Sequence, residues 1–157
     1  MATVLIGLGS NLGNRQRYLK EALNRLSRLP LIKLEAASGW IETAPMGGPR
    51  QGKYLNGVAQ METPLIPLEL LHLLQAIEQQ MGRPQKRVQW GPRVIDLDLL
   101  SYGDLILKGK TLTLPHPRMH QRPFVLIPLS QLSPRWRHPI FKLTAKQLLT
   151  KTHANRP

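Results

Sequence analysis

Residues 90–100, WGPRVIDLDLL, set two carboxylates one residue apart inside an apolar stretch: Asp96 and Asp98. Side chains alternate along an extended strand, so Ile95, Leu97 and Leu99 turn one way and both aspartates the other. The chain must therefore build a sheet with one apolar face and one face that tolerates two acids. Those acids lie about 7 Å apart at the backbone. They repel, and burial raises the pKa of at least one. A positive group has to meet them: an arginine or lysine, or a hard divalent cation that takes carboxylates together with water and phosphate oxygens. The plain alternative is a solvated strand face with salt bridges. The setting favours chemistry, because Trp90 and Arg93 precede the pair, and Arg83, Lys86 and Arg87 lie upstream. Cations that neutralise phosphate oxygens, beside carboxylates that hold metal, are what phosphoryl transfer requires.

The rest of the chain makes this acidic spot unusual. It has 22 Lys and Arg against 9 Asp and Glu, a net charge of +13 in 157 residues. Only three aspartates occur, and two are in this pair. Such an excess favours an anionic partner: nucleic acid, nucleotide phosphates or an anionic membrane. Cysteine is absent, which excludes disulfides and thiolate metal sites and fits a reducing, cytoplasmic setting. The N-terminal apolar run lacks a basic segment before it and does not read as a signal peptide. No apolar run approaches the roughly 20 residues of a membrane span. The length predicts one domain, residues 1–157, with a core of Leu, Ile, Val and Ala because aromatics are scarce.

Periodicity predicts a buried strand over residues 3–8, then a Gly-rich turn. A helix follows, with Asn14 as N-cap and Leu19, Ala22, Leu23 and Leu26 inward. A second strand is expected over 32–42, and a Pro- and Gly-rich loop over 44–53. YLNGVAQMET reads as the third strand. In the clearest helix Leu70, Leu73, Leu74, Ile77 and Met81 share a face, and Gly82 ends it. The DLD strand comes next, then short strands in LILKGKTLTLP, a short apolar helix from Phe124, and a frayed tail. The order β-α-β-β-α-β is the ferredoxin-like pattern. It predicts an α+β fold with an antiparallel sheet and C-terminal additions. The two charged loops, 44–53 and 83–90, bury little and are expected to close over ligands.

Two motifs mislead. Gly7, Gly9 and Gly13 are spaced one residue too far for a dinucleotide fingerprint, and read as a strand-to-helix turn. The GKT at Gly109 has Asp104 where a phosphate loop needs glycine. His72, His138 and His153 are scattered without zinc-ligand spacing to one another; His138 reads as part of a polar tail.

Several segments, in order, resemble one family. IGLGSNLGNR, ETAPMGGPRQGKYLNGVAQMET, IEQQMGR, QWGPRVIDLDLL and LTLPHPRMHQRPFVLIPL are similar to the 6-hydroxymethyl-7,8-dihydropterin pyrophosphokinases of folate biosynthesis, over roughly residues 3–129. The resemblance implies transfer of pyrophosphate from ATP to the pterin hydroxymethyl oxygen, releasing AMP. It implies two Mg2+ ions on Asp96 and Asp98, with Arg83 and Arg93 also catalytic. It places the pterin against Thr43, Ala44, Pro45, Met46, Tyr54, Asn56 and Phe124. It places ATP against Gln75, Glu78, Trp90, Arg93, Thr113, His116 and Arg122. A flat, polar-edged pterin suits aromatic walls and an amide such as Asn56 that both donates and accepts. The small-molecule partners are then ATP and the pterin, with no membrane or specific nucleic acid, and a monomer is expected. This chain departs from the family at Ala44-Pro45-Met46, where Pro-Pro-Leu is usual. Gln85 and Thr111 stand where relatives carry arginine, and Pro117 where they often carry an aromatic. The competing reading is a basic ferredoxin-like RNA-binding module, but the sheet aromatics are missing and the DLD pair would repel phosphates.

Overall fold

A computed structural model describes residues 1–44, 51–82 and 93–154. Pro45, Met46, Arg83 and Trp90 lie outside the described residues, as do the expected loop closures over 45–50 and 83–90.

The N-terminal strand β1 (Ala2–Ser10) pairs antiparallel with both β4 (Tyr54–Thr63) and β5 (Asp96–Tyr102). The edge beyond β4 is made by β2 (Lys33–Ala37) and β3 (Ile41–Thr43), both antiparallel to it. The order β2-β4-β1-β5 is that of the predicted ferredoxin-like sheet. The single strand expected over 32–42 is instead two. At the break, the Ser38 hydroxyl accepts the Val58 N–H at 2.9 Å, and Ser38 N–H donates to Val58 O at 2.8 Å. Trp40 lies over Gly57 there: a Cβ on Gly57 would stand 2.4 Å from the indole Cε3, so this residue has to lack one.

Helices α1 (Arg15–Ser27) and α2 (Pro67–Gln80) cover one face. Asn14 caps α1, its Oδ1 accepting Arg17 N–H at 3.1 Å. Leu19 and Leu26 of α1 and Leu70, Leu74 and Ile77 of α2 pack with Val4, Ile6, Leu8, Met61, Leu97 and Leu99 in one buried cluster.

The opposite face is covered over half its length only. A β-bulge lies between Leu5 and Ile6, where Leu5 pairs with Ser101 but Ile6 with Leu99. The extra residue, Leu100, joins Leu5 and Val58 in a second cluster. That cluster is completed by Met119, by Val125, Leu126 and Leu129 of α3 (Pro123–Leu132), and by Ala145 and Leu148 of α4 (Ala145–Ala154). The remaining half, where Gly7, Gly9, Asp96 and Asp98 point, stays open. A small hairpin of β6 (Leu107–Lys108) and β7 (Thr113–Leu114) follows β5. Of the tail expected to fray, 150–157, the residues as far as Ala154 are helical and continue α4, whose Ala145 and Leu148 pack with α3; residues 155–157 lie outside the described residues. No helix among the described residues is long and apolar enough to cross a membrane.

His138 is buried, not part of a polar tail. Its Nδ1 accepts the N–H groups of Ile140 and Phe141, both at 3.2 Å, so the neutral ring carries its proton on Nε2. Its ring meets His120, Trp136 and Phe141. Burial, then the neighbouring His120, pulls its pKa from 6.5 down to about 4. The unfolded chain therefore binds this proton first as the pH falls. Native stability contributed by the neutral ring is complete above about 6.5 and is lost as the pH drops toward about 4. Chemical denaturation between pH 7 and pH 4.5 should show a decline in stability that His138→Asn makes shallower, since an asparagine can keep the two N–H bonds without titrating. An equally steep decline in the variant would rule out His138 as a contributor.

Candidate active site

The open half of the sheet floors a cavity of about 300 Å³. Along β1, Gly7 and Gly9 provide a floor without side chains. Gly9 lies between Asn56 on β4 and Asp96 on β5, and Gly7 between Val58 and Asp98. A Cβ on Gly9 would lie 2.7 Å from Asn56 Oδ1, so the carboxamide leans over β1 only because glycine is there. Asn56 is nearly buried and donates from Nδ2 to Thr43 Oγ1 at 2.7 Å. Thr43, Ala44, Tyr54, Asn56 and Phe124 line the cavity together with Arg93, Asp96, Asp98, His116 and Arg122. Residues expected on the pterin side and residues expected on the nucleotide side thus line one cavity.

The aspartates are met by arginines. Arg93 Nε lies 3.6 Å from Asp96 Oδ1. Arg122 stands 5.4 Å from the centre of the Phe124 ring. Burial lowers the Arg122 pKa from the guanidinium norm, Asp98 and Asp96 oppose that shift, and Arg118 adds to it. The sequence asked for a positive partner at the DLD pair; these two guanidinium groups supply it. His116 is pulled from 6.5 to about 4 by burial, then by Arg122 and Arg118. It is neutral at physiological pH. Its Nδ1 accepts Arg118 N–H at 3.1 Å, which leaves the proton on Nε2 as a donor.

Three residues expected on the nucleotide side are not in the cavity lining: Gln75, Glu78 and Thr113. Gln75 is exposed on α2. Glu78 is buried, and its Oε2 accepts Leu97 N–H at 2.8 Å. Leu97 separates the two aspartates on an edge strand whose outward N–H needs an acceptor. Glu78 thus fixes the backbone that aims Asp96 and Asp98. Sequence reading missed Gly7, Leu8 and Gly9 as cavity floor; their signal was the GLG spacing on a strand whose neighbours carry the polar residues.

The donor set suits magnesium. The two carboxylates are hard oxygen ligands on one strand face, and no group of three or more His, Cys, Asp or Glu able to hold a metal exists among the described residues. A divalent ion there would keep water and phosphate oxygens as its other ligands.

Glu78→Ala should strand the Leu97 N–H and cost about 1–3 kcal/mol in urea unfolding. Glu78→Gln keeps an acceptor and should cost less. Equal losses in the two variants would mean that the charge, and not the hydrogen bond, stabilises the strand.

A family model described as 7,8-dihydro-6-hydroxymethylpterin-pyrophosphokinase (HPPK) matches residues 5–134. The chain is 39% identical over 147 residues to the 2-amino-4-hydroxy-6-hydroxymethyldihydropteridine pyrophosphokinase of Aquifex aeolicus, covering 94% of this chain and 90% of the relative. It is 43% identical to the enzyme of that name from Pseudomonas aeruginosa, covering 87% and 83%. In fold it resembles the crystal structure of Plasmodium falciparum HPPK-DHPS, with a TM-score of 0.74 at 16% identity, over 96% of this chain and 43% of that one. From sequence match and fold together, the chain belongs to the HPPK family.

Proposed function

We propose that this chain transfers the pyrophosphoryl group of ATP to the hydroxymethyl oxygen of 6-hydroxymethyl-7,8-dihydropterin, a step of folate biosynthesis. The observation that carries the reading is the single cavity lined by a carboxamide and aromatic rings together with guanidinium groups and carboxylates. The family assignment and the relatives' names support it.

Tyr54 and Phe124 offer ring faces for the pterin, and Asn56 with Thr43 reads its polar edge. Arg93, Arg122 and the Nε2–H of His116 bind phosphate oxygens. Asp96 and Asp98 would hold two magnesium ions, which supply neutralisation of the triphosphate charge. The hydroxymethyl oxygen attacks the β-phosphorus. The bond from that phosphorus to the oxygen bridging it to the α-phosphate breaks, AMP leaves, and the hydroxyl proton passes to solvent. Neutral His116 donates to phosphate and is not the base. The rate then rests on alignment and on charge placed in advance.

Competition with RNA binding as the main function is not favoured, since every cavity feature above addresses small molecules. The arginines expected elsewhere in the family at Gln85 and Thr111 are not needed for this assignment; Arg93 and Arg122 already face the carboxylates.

Incubation with ATP, Mg2+ and the pterin should give AMP and a diphosphorylated pterin in equal amount. ADP as the main product would overturn the pyrophosphoryl transfer. Asp96→Asn and Asp98→Asn should each lower turnover by at least about a hundredfold, on the scale of lost electrostatic stabilisation in catalytic sites. Their thermal melts should move little, because these acids are partly exposed and such ion pairs contribute about 0–1 kcal/mol. A large drop in melting temperature in both variants, with turnover kept, would mark the pair as structural.

A further inference from the structure

We propose that the turn between α3 and α4 seats this protein on an anionic lipid surface, with Ile140 and Phe141 entering the bilayer and the lysines and arginines around them meeting the headgroup phosphates. The contact is peripheral: it needs no spanning helix, and none is present among the described residues.

Charge sets the sign of the partner. After Asp104 the chain has ten Lys and Arg and no Asp or Glu, so ten of its thirteen net positive charges lie in the last third. Arg135, Arg137, Lys142, Lys146 and Lys151 are exposed between α3 and α4 and along α4, and none of them forms an ion pair among the described residues. They surround one turn. His138 N–H donates to Leu143 O, and Lys142 N–H donates back to His138 O, each at 2.8 Å. Arg137 Nη1 donates to Lys142 O at 3.1 Å. The far end of α4 returns to the same place: Thr152 Oγ1 donates to His120 O at 3.2 Å, and the His120 ring centre lies 4.7 Å from that of Phe141. The tip exposes two large apolar side chains, Ile140 at 47% and Phe141 at 46%.

The fold gives up stability to hold that tip. Lys142 is the one residue other than glycine with positive φ among the described residues, at 60°. His138 uses its Nδ1 to accept the Ile140 and Phe141 N–H groups, while its own buried Nε2–H has no partner. A strained lysine and an unpaired buried donor thus meet in a turn whose apolar residues add little to the core. What they stabilise lies outside the chain. The shape selects a bilayer. Both apolar side chains stand at the outer corner of a chain reversal, and the turn lines neither the cavity nor the open groove along α1. A convex apolar tip ringed by cations suits a planar interface, where buried apolar area and attraction to anionic headgroups add. A nucleic acid strand asks for aromatic platforms free to stack. Ile140 has no ring, and the Phe141 ring already packs on His120 and His138, each at 4.7 Å.

The test is flotation with vesicles of phosphatidylcholine alone and of phosphatidylcholine with one-third phosphatidylglycerol, using wild type and two double variants, Ile140→Ser/Phe141→Ser and Lys146→Glu/Lys151→Glu. Wild type should partition onto the anionic vesicles at least about tenfold more than onto the neutral ones, a preference that raised salt removes. Each double variant should lose at least about fivefold on anionic vesicles. Both should keep wild-type circular dichroism and nucleotide binding, because none of the four residues lines the cavity. The chain has no cysteine, so Ile140→Cys carries a polarity-sensitive dye at the tip alone. Its emission should shift to the blue on anionic vesicles, and that of a dye on Ser27→Cys should not. Equal partition of wild type onto both vesicles overturns the proposal, as does an unmoved dye at position 140. Full binding by either folded double variant overturns it too; should Ile140→Ser/Phe141→Ser not fold, the dye decides. Stronger binding to single-stranded RNA than to vesicles, or a dimer in sedimentation, that the tip variant abolishes would reassign the tip and overturn the lipid contact.

Discussion

The site depends on a strip of β1 that has no side chains. Gly7 and Gly9 sit on the one central strand that touches both polar neighbours, β4 and β5. Any Cβ at Gly9 would meet Asn56 Oδ1, so the residue that lets β1 sit at the centre also lets a carboxamide reach across it. The sheet's other face shows the contrast: Val4, Ile6 and Leu8 of the same strand are fully packed between α1 and α2. One strand thus carries the core on one side and the cavity floor on the other. The hollow exists because α3 and α4 stop after covering Leu5, Val58 and Leu100.

Charge follows from the same geometry. Asp96 and Asp98 face the open half, where they would repel each other if left alone. Arg93 and Arg122 stand against them instead, and Arg122 also reaches the Phe124 ring. The cations are thus in place before any phosphate arrives, which avoids reorganising them during the reaction. Glu78 contributes indirectly: it spends its carboxylate on the Leu97 N–H and holds the strand between the two acids. The acidic pair in a chain of net charge +13 is therefore one half of a local balance rather than an exception to it.

Much of this was legible from local pattern. The alternation of Ile95, Leu97 and Leu99 against Asp96 and Asp98 fixed the face of β5. Helical spacing in α1 and α2 fixed what they bury, and Asn14 marked the start of α1. What escaped the reading was non-local. The strand over 32–42 was broken by Trp40 packing on Gly57, a contact across strands. His138 looked polar because its neighbours are, yet packing of Trp136 and Phe141 buries it. Helix α4 was hidden because, among its residues whose burial is described, only Ala145 and Leu148 are buried, too few for a clear period. Glu78 matched a nucleotide residue by resemblance, whereas its structural partner, the Leu97 N–H, belongs to a strand 19 residues away. Spacing alone could not reveal the bridge made by the Asn11 carboxamide to Gln51, Gly52 and the Arg93 N–H, partners 40, 41 and 82 positions along the chain.

The central claim, that the pterin lies over the bare strip of β1 and is read by Asn56, is tested most directly by Gly9→Ala. The added methyl must move the Asn56 carboxamide while leaving Arg93, Arg122 and the aspartates in place. Calorimetry on the folded variant should show pterin binding weakened by at least about tenfold, the scale of one lost hydrogen bond to a well-placed group. Binding of a nonhydrolysable ATP analogue should stay within about twofold of wild type. Unchanged pterin affinity, or an equal loss for both ligands, would contradict the account.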